Sequence, residues 1–473
     1  MLGEELARIE RAIVGDIWTS NEQFLNLVKM CDEFGSRFAG TESEKKAVEF
    51  MTGRMKAYGL ANVASEPFRY TGWFRGRADM EMLEPLRCEL PCISLALSPS
   101  MPKEGLEAEV INVGAGRMQE YEKIREKLPG KIAMCSTEPF DGEGNWGHRR
   151  TRYGLAVLHG AAAFVFMQHL PGQLPQTGSL RPGYRMIGEI PGVGVSLETG
   201  SLILRQLKRG RVRVRMNVQN EIKPDWTAYN VVGEIQGSKY PDQLILVGAH
   251  FDGHDIAQGA ADDCAGAVVV MDVARAMAPF KRYFKRTIRF LLFGAEELGV
   301  TGSTCYLDQH KDEIEKMTLM INCDGAGRAA RHRFAVYGPM ELVPYLEAIS
   351  REISYPMSIP TPLGAASDHW PFFTAGIPAV GFATGPPDPL TGAVAAALGR
   401  GFGHTSADTV DKVDPRGLKE ASMVLSQFLL RIAVEGKPVA KHTPVKEIVR
   451  RLEEKGEAEA LRIQKKWHPD SIR

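Results

Sequence analysis

The run QLILVGAHFDGHD, residues 243–255, sets Leu244 to Ala249 as an unbroken series of apolar or small side chains and places His250, Asp252 and His254 directly after it. A run of this kind belongs in a strand covered on both faces, the situation of a parallel sheet between helices. Residues Thr287–Gly294, Thr318–Cys323 and Pro378–Phe382 repeat the pattern, and Cys264–Ala278 reads as a helix lying between the first two strands. Alternating strands and helices predict an α/β fold: a mixed, mainly parallel sheet sandwiched by helices.

Each apolar run gives way to polar, reactive side chains. FLLFGAEE (290–297) ends in Glu296 and Glu297, and LMINCDG (319–325) carries Cys323 and Asp324. Ligands of an open parallel sheet bind off the carboxyl ends of its strands, so these side chains are predicted to converge on one edge. GAADDCAG (259–266) adds Asp262 and Asp263 just before a helix, and FGHTSADT (402–409) adds His404. Two histidines and several carboxylates in one crevice repel badly without cations. Imidazole nitrogen and carboxylate oxygen suit zinc, and an Asp shared by two ions would hold them roughly 3.5–4 Å apart, close enough to activate one water together. Each feature alone has an ordinary explanation. His250 could bond to backbone, and Glu296-Glu297 or Asp262-Asp263 could open a helix. Their joint, ordered occurrence points to a metal site.

The motifs HFDGHD, GAADDCAG, FGAEELG, NCDGAG and FGHTSADT resemble those of the co-catalytic zinc exopeptidase family, which includes bacterial leucyl aminopeptidases and plasma glutamate carboxypeptidase. The similarity covers roughly residues 225–435, with an echo in FGSRFAGTESEKKAVEFM (34–51). The resemblance implies the zinc exopeptidase fold and two Zn²⁺ per chain, with Co²⁺ or Mn²⁺ as alternatives. It implies His250 and Asp324 on one metal, Glu297 and His404 on the other, and Asp262 as the bridge. Glu296 becomes the general base, and Asp252 the carboxylate that orients His250. It further implies a cis peptide bond after Asp262. The expected activity is hydrolysis of terminal peptide bonds, by amino- or carboxy-terminal trimming, with the chain's partner a peptide. A non-catalytic interaction module, a one-metal cyclase and an amidohydrolase are the rival readings, and retention of every ligand position and the base argues against the first.

The 473 residues exceed the usual size of one domain. Short strands and frequent Gly and Pro mark residues 86–224 as a separate unit, in which GKIAMCS (130–136), HGAAAFVFMQH (159–169) and IPGVGVSLETGSLIL (190–204) resemble an inserted, β-rich protease-associated domain. The expected division is therefore 1–85 with 225–440 as the catalytic domain, 86–224 as a lobe that flanks the cleft without supplying a ligand, and 441–473 as a helical tail, an appendage. Lys plus Arg and Asp plus Glu are 58 each, so no bulk charge drives binding to nucleic acid or to an anionic membrane. No secretion signal and no run of 18 apolar residues is visible. Seven scattered cysteines without a CxxC pair fit a reducing cytoplasm. Cys264 and Cys323 read as packing groups, His254 and His369 as loop or pocket-wall residues, and Lys281–Arg289 as a solvated turn and strand edge. A homo-oligomer is compatible with all of this.

Overall fold

The strand Tyr240–His250 runs parallel to Arg286–Phe293 on one side and to Met317–Asn322 on the other, and Met317–Asn322 runs parallel to Ala379–Thr384. The computed structural model describes residues 2–138, 144–329, 331–385 and 402–467. Antiparallel strands complete the sheet at both edges: Glu221–Ile235 on Arg286–Phe293, then Ala61–Phe74 on Glu221–Ile235, and His332–Gly338 on Ala379–Thr384. The seven-stranded sheet is thus mixed, and its parallel part is confined to the four central strands. Those four carry the continuous apolar runs: Arg286–Phe293 and Met317–Asn322 are buried throughout, Tyr240–His250 from Leu244 onward, and Ala379–Thr384 at Ala379, Val380 and Phe382.

Helices cover both faces. The helix Ala265–Met277 is buried nearly all round, and with Leu2–Thr19, Glu42–Ala57 and Pro415–Val434 it forms the larger core against the sheet. On the opposite face Tyr306 and Phe372 pack on Leu246, Leu291 and Met320. None of the described helices is long and apolar enough to cross a membrane.

A second, eight-stranded sheet takes its strands from residues 78–218, with a core of its own that includes Met82, Val110, Met134 and Val165. The compositional boundary near residue 85 falls after the first of these strands, Ala78–Glu84, and the boundary at 224 falls inside Glu221–Ile235. Pro224 disguises that strand in the sequence, because proline is tolerated there only where the strand runs out beyond its inner neighbour.

Two expectations are corrected. The strand Arg286–Phe293 is not an edge: it lies between Tyr240–His250 and Glu221–Ile235, and its basic side chains are buried. Arg289 pairs with Glu234 at 2.7 Å and Glu313 at 2.5 Å, which is how a guanidinium survives inside a sheet. The tail is not an appendage either. It breaks into Val445–Glu454 and Ala458–Ile463 at Gly456, whose φ of 69° ends the first helix. Ile448, Leu452 and Leu461 then pack with Trp370 and Phe373 of the main body.

Candidate metal centre

Registers between the parallel strands bring the polar groups together. His250 lies level with Phe293, four residues before Glu297, and Gly248 lies level with Asn322, two before Asp324. The three strand ends therefore open on the same carboxyl edge, as the apolar runs predict.

Among the described residues two groups of three side chains could each hold an ion: His250, Asp262 and Asp324, and His254, Glu297 and His404, the donor atoms within each group lying within 4.8 Å of one another. All five expected ligand positions are thus brought together, three in one group and two in the other. Asp262 reaches both. Its Oδ1 is 3.7 Å from His250 Nε2, and its Oδ2 is 3.3 Å from His404 Nε2. That Oδ2 is buried and accepts no hydrogen bond. His404 Nε2 is also 3.3 Å from Glu297 Oε2, and His254 Nε2 approaches the same oxygen at 3.0 Å without a hydrogen-bond geometry. Buried donors and acceptors that converge without bonding each other are the arrangement a cation completes.

The turn carrying Asp262 is held from several directions. The peptide bond from Asp262 to Asp263 is cis. Asp408, four residues after His404, accepts the backbone N–H of Ala261 at 2.8 Å and of Asp262 at 3.1 Å. Asp263 turns the other way and accepts from Gly325 N–H at 2.9 Å, tying the turn to the loop after Asp324. Arg37, wholly buried, donates to the carbonyls of Phe251, Gln258 and Gly259 at 2.7, 2.7 and 3.0 Å. This is the physical content of the FGSRFAG echo near the amino terminus. Arg328 donates to Asp262 Oδ1 at 3.1 Å and stands 3.7 Å from Asp324.

Asp252 lies against His250, as expected of it, and has a second contact besides. His250 Nδ1 is 3.0 Å from the backbone carbonyl of Asp252 and 3.5 Å from its carboxylate. The carboxylate also accepts the backbone N–H of Glu296 at 3.0 Å and of Glu297 at 3.2 Å, so it fixes the turn that presents both glutamates.

Electrostatics set the two glutamates apart from ordinary acids. Burial holds Glu296 well above the usual carboxylate range, outweighing the pull of His250, and Glu297, Asp368 and Asp324 add to it. Burial pushes Glu297 up to about 7 against the pull of His404. Asp262 behaves oppositely: burial is outweighed by Arg328, His250 and His404, which hold it well below its ordinary value. A buried carboxyl of raised pKa beside an ionised carboxylate is suited to acid–base chemistry near neutral pH.

The second lobe meets the centre through Thr177. Its N–H donates to the His404 carbonyl at 2.9 Å, and its own carbonyl faces His404 Nδ1 at 3.3 Å. Among the described residues the lobe contributes nothing to either group of donors; His148 caps the helix Arg149–Leu158 and His159 bonds to Leu155. His369 stacks on Tyr337 at 3.5 Å and belongs to neither group, though the charge of Asp324 reaches it. The roles of His254 and Asp408 are not evident from the sequence. The second histidine of HFDGHD and the acid of GHTSADT are the signals, each four residues after a ligand position.

Residues 230–429 match the model of peptidase family M28. That stretch contains all six residues of the two donor groups. Carboxypeptidase Q of Bos taurus is 30% identical over 64% of this chain and 64% of its own length, so the match spans less than two thirds of that relative. The peptidase M28 precursor of Shewanella amazonensis SB2B superposes with a TM-score of 0.79 at 24% identity, over 93% of this chain and 99% of that one. A zinc aminopeptidase of Bacillus subtilis gives 0.66 at 22% identity, over 90% and 98%. Both share the fold.

Proposed function

We propose that this chain is a metal-dependent exopeptidase that hydrolyses terminal peptide bonds, with two zinc-class ions held by His250, Asp324, Glu297 and His404 and shared through Asp262. The observation that carries the reading is the Asp262 carboxylate, one oxygen towards each histidine and one of them without a hydrogen-bond partner. Similarity to a carboxypeptidase, and the match of residues 230–429 to a peptidase family model, support peptide as the substrate. Nitrogen and oxygen donors in this proportion favour zinc over magnesium or calcium. His254 is a further donor to the Glu297 side.

When bound, such ions polarise the scissile carbonyl and make water a nucleophile at neutral pH. Glu296 takes the proton of the attacking water on its carboxylate and returns it to the leaving nitrogen. Asp252 holds Glu296 in place through its backbone N–H, so the base is aimed by the turn and leaves the coordination to its neighbour. The sheet over residues 78–218 is proposed as a protease-associated lobe that walls the cleft at Thr177. The reducing cytoplasm is its proposed place, on the seven free thiols.

Metal analysis of the purified protein, with a hydrolysis screen of blocked and unblocked dipeptides, tests the reading. Close to two zinc-class ions per chain and metal-dependent release of single amino acids are expected. One ion per chain, or unchanged metal content in His250→Ala with His404→Ala, would sink the centre as drawn.

A further inference from the structure

Two cationic side chains stand near Glu296 with no counter-charge of their own. Arg150, on the helix Arg149–Leu158 of the second lobe, is 3% exposed. Its Nε and Nη2 donate to Ser179 Oγ at 3.2 and 2.7 Å, which leaves Nη1 buried without a partner. Ser179 lies two residues after Thr177, the residue that sits against His404, so the guanidinium is pinned to the wall of the metal centre. The acids whose charge reaches it are Glu296 and Glu297. Lys466 arrives from the opposite end of the sequence. Its ammonium donates to the Ala365 carbonyl, and it feels Arg150, Glu296 and Asp368 together. Among the described residues neither cation lies within ion-pair distance of a carboxylate.

A buried guanidinium and a half-buried ammonium in each other's field are costly unless an anion joins them. The cost is visible in both groups: burial pushes Arg150 down to about 10, and burial with repulsion from Arg150 takes Lys466 well below the ordinary lysine value. A peptide of any sequence brings one fixed anion, its terminal carboxylate. When Glu296 serves the last peptide bond, the carbon of that carboxylate lies only two bonds, roughly 2.5 Å, from the leaving nitrogen. A guanidinium with a free N–H offers the planar donors such a group prefers.

We propose that Arg150 and Lys466 bind the terminal carboxylate of the substrate, so that the chain removes the carboxy-terminal residue of short peptides. The inference rests on the peptidase reading and names its substrate class. The lobe and the tail then act as specificity elements, one cation from each, while the sheet supplies the chemistry.

The test compares an amino-terminally acetylated dipeptide with its carboxy-terminal amide. The metal-loaded parent is expected to prefer the free acid in kcat/KM by about tenfold or more, the worth of a charge-assisted bond. Arg150→Met and Lys466→Met are expected to lose most of that preference through KM at unchanged metal content, with Arg150→Lys keeping part of it. Equal use of acid and amide by the parent, or variants that keep its preference, would overturn the proposal. Calorimetric binding of the acetylated acid to Glu296→Gln, which is expected to vanish when Lys466→Met is added, decides the same point without turnover; binding that survives the second change counts against it. Intact, Lys466-dependent binding with no hydrolysis of any peptide by the parent would remove the catalytic reading and leave the carboxylate site standing.

Discussion

Glu296 and Glu297 are adjacent in the chain, both buried, and assigned opposite tasks. Glu297 Oε2 stands within 3.3 Å of two histidine nitrogens, whereas Glu296 makes no such approach and carries the stronger upward shift. The difference comes from the turn that Asp252 clamps, which sends successive side chains in different directions. Glu296→Gln is therefore expected to keep metal and fold while turnover falls roughly 10²–10⁴-fold, since the amide preserves shape and removes the proton acceptor. Parent-like kcat with full metal occupancy would show that another group is the base. Asp262 depends on its neighbours in the same way, because Asp408 accepts its backbone N–H and Arg328 donates to its carboxylate.

At the scale of elements, the first turn of the helix Ala265–Met277 leaves no room for a side chain at Gly266. A Cβ on Gly266 would lie 2.3 Å from Asp263 Oδ2 and 2.3 Å from the Cys323 carbonyl. Asp263 holds the loop after Asp324 and Cys323 belongs to the backbone just before it, so neither neighbour can yield without moving Asp324. Gly266→Ala is expected to cost about 1–3 kcal/mol in stability and to weaken metal retention in parallel. A denaturant titration with metal analysis on the same samples checks both; a variant with parent midpoint and parent metal content would show that the helix can slide outward.

At the scale of the molecule, the tail joins the two sheets. Glu457 accepts Asn145 N–H and its side-chain amide, both at 2.9 Å, while Gln464 donates to the Asn145 carbonyl and to Thr151 Oγ1, again both at 2.9 Å. Arg181 of the lobe donates to the Ile463 carbonyl at 2.7 Å, and on the other side Arg451 donates to the Tyr337 carbonyl at 2.6 Å. Deleting residues 441–473 removes the buried side chains of Ile448, Leu452 and Leu461, each worth about 1.5–3 kcal/mol, and uncovers Trp370 and Phe373. The truncated chain is expected to melt roughly 5 °C or more below the parent, with earlier proteolysis in the segment around Asn145. An unchanged melting curve and cleavage pattern would mean that the lobe docks without the tail.

The central strands, the carboxyl edge on which they open and the polar residues at their ends were legible in the sequence, because a strand buried on both faces must be apolar along its length and its end is then marked by the first polar residue. The strand Glu221–Ile235 was hidden by Pro224 and by its half-exposed outer stretch, which breaks any simple period. The turn at Lys281 and Arg282 is exposed as expected, but Arg289 looked solvated because a charge in sequence carries no sign of the partner that will bury it; Glu234 and Glu313 are found only by folding. His254 and Asp408 were written in the motifs but had no local pattern to single them out, since whether a side chain faces a ligand depends on the turn beneath it. The approach of Thr177, Arg150 and Lys466 to the metal centre belongs wholly to the tertiary structure: these residues are brought to Glu296 by packing between the second lobe, the tail and the sheet, and contacts between segments hundreds of residues apart leave no periodicity in the chain.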